Sequence, residues 1–167
     1  MTKRRKAREL ALQFLYETDG NPVSLETKIN SFYREFASES LLRNGFIDSA
    51  QNLYSKKESV EIHHFFVDLV NGTLNNIGRI DGLIKNASKN WVIERMSRID
   101  RNLLRLSVYE MLYFPETPKN VVINEAVEIA KKFGNEESSA FINGILDNIK
   151  IKEDNIIINS KNREAAS

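Results

Sequence analysis

The chain has 167 residues and nearly balanced charge, with 24 Lys and Arg against 23 Asp and Glu, so only a local cluster of cations could mark a nucleic-acid partner. Its length fits one domain or two very small ones, and its 41% hydrophobic residues are enough for a buried core. It has no cysteine, no secretory signal and no apolar run of ~18 residues, which excludes disulfides, thiolate metal sites and cysteine nucleophiles and indicates a soluble, cytoplasmic protein with no membrane partner.

Residues 3–17 are predicted to form the first helix, because apolar residues recur there at steps of three and four. The turn-favouring residues 19–22 end it. A second helix is predicted over about 24–39 and a third, short one from about Phe46 to Lys56. The apolar face of the first helix consists of Ala7, Leu10, Ala11 and Phe14.

The strongest helical pattern starts at Ser59, a favourable N-cap residue, and continues through Ile84. It predicts one long helix, which we interpret as a central element shared by two bundles. Three glycines weaken this helix by up to ~1 kcal/mol each relative to alanine, so they mark either close helix contacts or a bend. These glycines are Gly72, Gly78 and Gly82.

Residues 98–114 form the next predicted helix, which is apolar around so much of its circumference that we place it centrally. Thr117 and Pro118 are then predicted to supply the N-cap and first residue of a helix that ends at Phe133. Gly134 follows as a residue suited to the position after a helix C-terminus. Both boundaries therefore carry the residue types that helix ends prefer.

The last predicted helix is capped by Asn135 and runs through Ile149, with Glu136 and Glu137 in its first turn. Residues 151–167 place three isoleucines in a polar, charged stretch, and we predict a disordered tail there.

Taken together, these elements predict an all-α fold of six or seven helices in two small bundles that share the long central helix. The N-terminal bundle is predicted over about 1–75 and the C-terminal bundle over about 76–150. Residues 1–150 would thus form a single all-helical domain.

The sequence offers little for catalysis. It contains no phosphate-binding glycine loop, no GxSxG elbow and no HExxH. His63 and His64 are adjacent, and neighbouring side chains on a helix point about 100° apart, which is poor geometry for one metal ion. We therefore expect no enzymatic activity, no metal and no cofactor.

A cluster of cations opens the first predicted helix, at the end where the helix dipole is already positive. Acids rather than cations would stabilise a helix in this turn, so the cluster favours a polyanionic partner whose phosphates it neutralises. The alternative is a solvated, frayed arm. The cluster consists of Lys3, Arg4, Arg5, Lys6 and Arg8.

Tyr16 adds an aromatic ring to the same helix. Three helical turns separate it from Arg5, so both residues fall on one face. Single-stranded nucleic acid suits this arrangement, because phosphates take the charges and a base stacks on the ring. The alternative interpretation places Tyr16 in the core.

Six stretches resemble the NusB family of transcription antitermination factors in order and spacing. The resemblance is most specific in INEAVEIAKKFG and FINGILD, weak over 20–58 and absent in the tail. The stretches are 7–19 (ARELALQFLYETD), 65–72 (FFVDLVNG), 80–84 (IDGLI), 98–112 (RIDRNLLRLSVYEML), 121–134 (VVINEAVEIAKKFG) and 141–147 (FINGILD).

This resemblance implies two small helical bundles and a partner, NusE, a ribosomal protein of the small subunit. It implies that the pair binds single-stranded boxA-type RNA of ribosomal RNA leader transcripts and joins the RNA polymerase antitermination complex. No chemistry is implied. Because some family members pair with themselves through surfaces that overlap the RNA site, a homodimer also stays open.

The resemblance assigns roles to particular residues. It makes the five N-terminal cations, Tyr16 and Phe141 RNA contacts, and it places Glu136 and Glu137 near the RNA path. Asn143 and Gly144 also match the family motif. The implied NusE-binding residues are Asp100, Arg101 and Leu104, although Leu104 suits the core equally well.

Two other functions stay open at this point. Some RNA cytosine methyltransferases carry a helical domain of this kind, but they need a cofactor-binding α/β domain and catalytic cysteines, which this sequence lacks. A protein–protein adaptor without direct RNA contact is the main alternative, and it predicts that the N-terminal cations are dispensable.

Overall fold

The computed structural model describes residues 2–19, 25–32, 56–89 and 91–165. These residues form seven α-helices and no strand, which confirms the all-α prediction. The apolar residues that predict a short helix after Phe46 lie outside the described residues, as does the second half of the helix predicted over 24–39. The helices are α1 (Lys3–Thr18), α2 (Leu25–Phe32), α3 (Lys56–Asn75), α4 (Ile77–Ala87), α5 (Arg98–Tyr113), α6 (Lys119–Phe133) and α7 (Ser138–Ala165), with a 3₁₀ turn at Ile93–Arg95.

The chain divides into two compact units, Met1–Leu74 and Asn75–Ser167. The first contains α1, α2 and nearly all of α3, and the second contains α4 to α7. None of the described helices is long and apolar enough to cross a membrane.

Three phenylalanines form the centre of the first unit. The ring of Phe14 meets those of Phe32 and Phe66 edge to face, with centroids 5.2 and 6.0 Å apart, and Phe32 stacks on Phe66 at 6.0 Å. Each ring comes from a different helix, so the cluster joins α1, α2 and α3 through the large apolar area that aromatic pairs bury.

The second unit packs α6 and α5 against α7, and α4 against both α5 and α7. Its fully buried aliphatic side chains come from all four helices. A bidentate ion pair also joins α4 to α5, in which Arg105 donates to both carboxylate oxygens of Asp81 at 2.8 Å. The largest of the buried side chains are Ile80, Ile84, Leu103, Leu104, Leu106, Ile129, Ile142 and Leu146.

The long helix predicted from Ser59 through Ile84 is not continuous, because Asn76 separates α3 from α4. The Asn76 backbone leaves the helical region (φ −113°, ψ 14°), and its side chain accepts a hydrogen bond of 2.9 Å from the Tyr113 hydroxyl. Asparagine has a low helix propensity, because its side chain readily forms hydrogen bonds in non-helical conformations. A Cβ at Gly78 or Gly82 would meet nothing within 4 Å, so neither glycine marks a close helix contact.

The C-terminal tail also differs from its prediction. Residues 151–165 continue α7 as a helix instead of being disordered. Two side-chain contacts hold this extension: Lys119 pairs with Asp154 at 2.5 Å, and Lys152 donates to the Asn86 carbonyl at 3.0 Å. Lys119 and Asn86 lie far from the tail in the sequence. The tail is therefore stabilised by tertiary contacts that cannot be predicted from its own composition.

Candidate nucleic-acid interface

The cationic start of α1 is a well-formed helix end. The Thr2 hydroxyl accepts a hydrogen bond of 3.2 Å from the Arg5 backbone, which caps the helix, and no acidic residue lies in the first turn. The alternative of a frayed arm is therefore not observed, since the helix begins at Lys3 as predicted. The positive end of the dipole and the cations act in the same direction, which gives a locally positive surface.

Side chains of α3 hold several of these cations. Lys3 pairs with Glu61 at 3.4 Å, and the guanidinium groups of Arg4 and Arg8 lie 5.0 and 5.5 Å from the centre of the Phe65 ring. Cation–π contacts of this length are attractive. Arg4 and Arg8 therefore also have a structural role, although cations are unfavourable for the helix dipole at this end.

The five cations differ in their access to solvent. Arg4 is exposed and Lys3 and Arg5 are half-buried, whereas Lys6 and Arg8 are only 7% and 4% exposed. Spacing alone could not separate these groups, because burial depends on the neighbours of the helix. A ligand can therefore reach three of the five cations directly.

Tyr16 lies near the other end of α1 and is 42% exposed, which excludes the alternative that it is a core residue. Leu12, which lies between Arg5 and Tyr16 on the predicted face, is buried. This face of α1 therefore presents cations at one end and the Tyr16 ring at the other, and the helix between them is buried.

The start of α7 is constructed differently. The Asn135 side-chain oxygen accepts hydrogen bonds from the backbone of Glu137 at 2.9 Å and of Ser138 at 3.0 Å, so Asn135 caps the turn as predicted although α7 itself begins at Ser138. The Ser138 hydroxyl accepts in return from the Asn135 backbone at 3.0 Å. These reciprocal bonds fix the backbone just ahead of Phe141.

Gly134 connects α6 to this turn. Its φ of −86° is ordinary, so the left-handed conformation typical of a glycine after a helix is absent. The need for glycine is steric, because a Cβ would lie 2.5 Å from the Ser138 Cβ and 2.7 Å from the Ala130 carbonyl oxygen.

Phe141 is half-buried on α7, and the neighbouring residues Asn143 and Gly144 are exposed. The Phe141 ring meets that of Trp91 at a centroid distance of 5.4 Å and an interplanar angle of 68°. Trp91 is not among the site residues predicted from sequence. The available signal was that this chain's single tryptophan lies in a short connection between helices.

The three residues implied for NusE binding lie at the start of α5. Ser97 caps this helix by accepting from the Asp100 backbone at 3.0 Å. Arg101 is half-buried, Asp100 is 6% exposed and Leu104 is fully buried. Leu104 is therefore a core residue in this structure, which answers the question that the sequence left open.

The described residues contain no group of three or more His, Asp or Glu side chains placed to hold a metal ion. The rings of His63 and His64 lie 6.2 Å apart and tilted by 51°. Burial lowers the pKa of His63, and the neighbouring His64 lowers it further.

Comparison with known proteins gives a consistent result. Residues 5–150 match the model of the NusB family. The transcription antitermination protein NusB of Geotalea daltonii is 46% identical, and the alignment covers 89% of this chain and 94% of that protein.

Two solved structures have the same fold. NusB of T. maritima is 34% identical, with a TM-score of 0.60 over 89% of this chain and 91% of its own. A complex of the antitermination factors NusB and NusE with double-stranded RNA contains a chain that is 23% identical, with a TM-score of 0.63 over 89% of this chain and 96% of its own, a likeness that concerns the fold. From the family match and the identity to its curated relatives, this chain belongs to the NusB family of transcription antitermination proteins.

Proposed function

We propose that this protein binds boxA-type single-stranded RNA of ribosomal RNA leader transcripts together with NusE, and thereby joins the RNA polymerase antitermination complex in the cytoplasm. The observation that carries the proposal is the capped, cationic start of α1, where Lys3, Arg4 and Arg5 remain accessible at the positive end of the helix dipole. No chemical step is proposed for any residue.

In this proposal the accessible cations bind phosphates, while Tyr16 and Phe141 stack on bases. Lys6 and Arg8 belong to the same set, but since both are buried they contribute charge to the local potential instead of direct contact. Single-strand binders combine cationic grooves with aromatic stacking in this way.

For NusE, we propose the surface at the start of α5. Arg101 is the member of the implied set that a partner can reach, whereas Asp100 and Leu104 are buried. A protein of the same fold has been solved as a complex with NusE and RNA, which supports a composite of this kind.

The alternative is an adaptor that binds proteins and never contacts RNA. The contacts of Arg4 and Arg8 with Phe65 favour this alternative, because they give these two cations a structural role. Arg5 takes part in the cap through its backbone, and its side chain is half-buried.

The test is a titration of boxA-type RNA at several salt concentrations, with NusE present and absent. Replacing Arg4 and Arg5 by alanine is expected to weaken binding and to lower the salt slope by ~0.7 per lost phosphate contact, or up to ~1.4 for both. The matched control, Arg4→Lys with Arg5→Lys, keeps the charge and should keep the slope.

Three outcomes separate the functions. Affinity that appears only with NusE indicates a composite site, and affinity without NusE indicates that this chain binds RNA by itself. If the salt slope is the same in the wild type and in the double alanine variant, both with and without NusE, the result supports the adaptor and contradicts the proposal.

A further inference from the structure

We propose that Trp91 is an additional RNA-contacting residue, which forms with Phe141 an aromatic pair on which an unstacked base of single-stranded RNA packs. The inference rests on the proposed function and deepens it, because it adds a residue to which the family resemblance assigned no role. Both residues belong to the second unit.

The geometry of the pair leaves room for a ligand. The rings meet edge to face, with centroids 5.4 Å apart, so their planes are not stacked on one another. Trp91 is 55% exposed, and the adjacent Val92 is 53% exposed. Tryptophan offers a large rigid surface with few rotatable bonds, so stacking a base on it costs little side-chain entropy.

The backbone of Trp91 is fixed by a residue that is itself buried. The Trp91 amide donates to the Ser88 carbonyl at 2.7 Å, and the Ser88 hydroxyl donates to the Trp91 carbonyl at 3.1 Å. Ser88 is only 5% exposed. Next to it, Asn148 of α7 donates to the Ala87 carbonyl at 3.0 Å. The exposed indole therefore projects from a connection whose first residues are fixed at the end of α4, a helix end that α7 also holds, and this is the preorganisation that a binding residue needs.

The charges around the pair favour RNA over an apolar protein segment. Phe141, Asn148 and Lys152 are seven and eleven positions apart, so they share one face of α7, along which the end of α4 packs. Lys85 near the end of α4 and Lys89 in the connection that carries Trp91 are both exposed, as is Lys152, while Glu94 is an exposed acid of the same connection. An aromatic pair followed by cations matches the pattern of single-strand binding sites.

The first experiment measures the affinity of the full chain with NusE for a boxA-type RNA oligonucleotide. Trp91→Ala is expected to raise the Kd by roughly tenfold, the loss typical of one base stack. Trp91→Phe keeps a ring and should recover most of the affinity. Val92→Ala is the matched control, since it removes an equally exposed apolar side chain from the same connection and should leave the Kd unchanged.

The second experiment observes Trp91 directly. Because the chain has a single tryptophan, 5-fluorotryptophan labels only this position, and unlabelled NusE adds no signal. Addition of the oligonucleotide should shift the fluorine resonance, and in a series of oligonucleotides that each carry one abasic position, one member should lose that shift.

The outcomes for the two proposals can be told apart. If wild type binds the RNA but Trp91→Ala binds equally well and the fluorine resonance stays in place, the role of Trp91 is overturned while the proposed function stands. If wild type does not bind with NusE present, both are overturned. A changed fold in Trp91→Ala would show in its circular dichroism spectrum. In that case the fluorine shift of the wild-type chain decides whether Trp91 contacts the RNA.

Discussion

The starts of α1 and α7 carry proposed RNA contacts, the cations in the first unit and Phe141 in the second, and they are built in opposite ways. α1 begins with cations and has no acid in its first turn, against the preference set by the helix dipole. α7 is preceded by Glu136 and Glu137, and the side chains of Asn135 and Ser138 cap the turn reciprocally. The start of α7 is stabilised by its own cap, whereas the start of α1 concentrates cations, three of which a polyanion can reach.

The difference also determines how closely stability and binding are linked. At α1 the same cations that face solvent also contact Phe65 and Glu61 of α3, so removing them alters both properties. At α7 the stabilising bonds belong to the cap and the backbone, while the ring of Phe141 lies beyond them. Variants of the two helix starts should therefore behave differently.

The largest change in stability is expected for Gly134→Ala. Its Cβ would lie 2.5 Å from the Ser138 Cβ and 2.7 Å from the Ala130 carbonyl oxygen, and a backbone oxygen cannot move aside cheaply. We expect the free energy of unfolding to fall by about 1–3 kcal/mol, as for other overpacked sites. Urea unfolding followed by circular dichroism measures this.

The matched control for that variant is Gly144→Ala. Gly144 lies inside α7, and a Cβ there would meet nothing within 4 Å, so alanine should stabilise the helix by up to ~1 kcal/mol. Opposite signs for the two glycines would confirm that close approach constrains the start of α7. A fully stable Gly134→Ala would contradict it.

The next largest effect separates two arginines that contact the same ring. Arg8 is 4% exposed and Arg4 is exposed, yet their guanidinium groups lie at similar distances from Phe65. Because cation–π contacts strengthen when they are desolvated, we expect Arg8→Ala to lower the free energy of unfolding by about 1–2 kcal/mol and Arg4→Ala by only about 0.5 kcal/mol.

Urea unfolding of both variants tests that difference. Arg8→Met is the control, since it keeps much of the apolar part of the side chain and loses the charge. A loss of unfolding free energy between those of wild type and Arg8→Ala would show how much of the effect comes from packing and how much from charge. Equal losses for Arg4→Ala and Arg8→Ala would show that burial does not distinguish the two positions.

Much of the fold could be predicted because helical periodicity is a local property. The observed bounds of α1, α5 and α6 lie within two residues of the predicted ones. The break at Asn76 could not be predicted, since it involves a hydrogen bond with Tyr113, 37 residues away. The helical tail likewise depends on Lys119 and on the Asn86 carbonyl, which its own composition does not reveal.

The candidate site shows the same division. The run of cations in α1 is visible as a string of residues, but the burial of Lys6 and Arg8 depends on the tertiary structure. The contact between Trp91 and Phe141 joins distant parts of the chain, so no spacing rule could have found it. Sequence thus identifies the types of residue in the site, and packing determines which of them a ligand can reach.

The smallest expected effect concerns pH and α3, the helix that holds the start of α1. Burial lowers the pKa of His63 below its ordinary value of 6.5, and His64 lowers it further. The unfolded chain therefore takes up a proton at a higher pH than folded His63 does, so this residue's contribution to stability is complete above about pH 6.5 and declines as the pH falls toward the folded pKa.

His63→Gln should flatten the dependence of the free energy of unfolding on pH in that window, measured by urea unfolding between about pH 5 and pH 8. His64→Gln removes only the smaller cause and should flatten it less. If His64→Gln had the larger effect, charge repulsion rather than burial would control His63, and the packing of α3 around this residue would have to be looser than the structure shows.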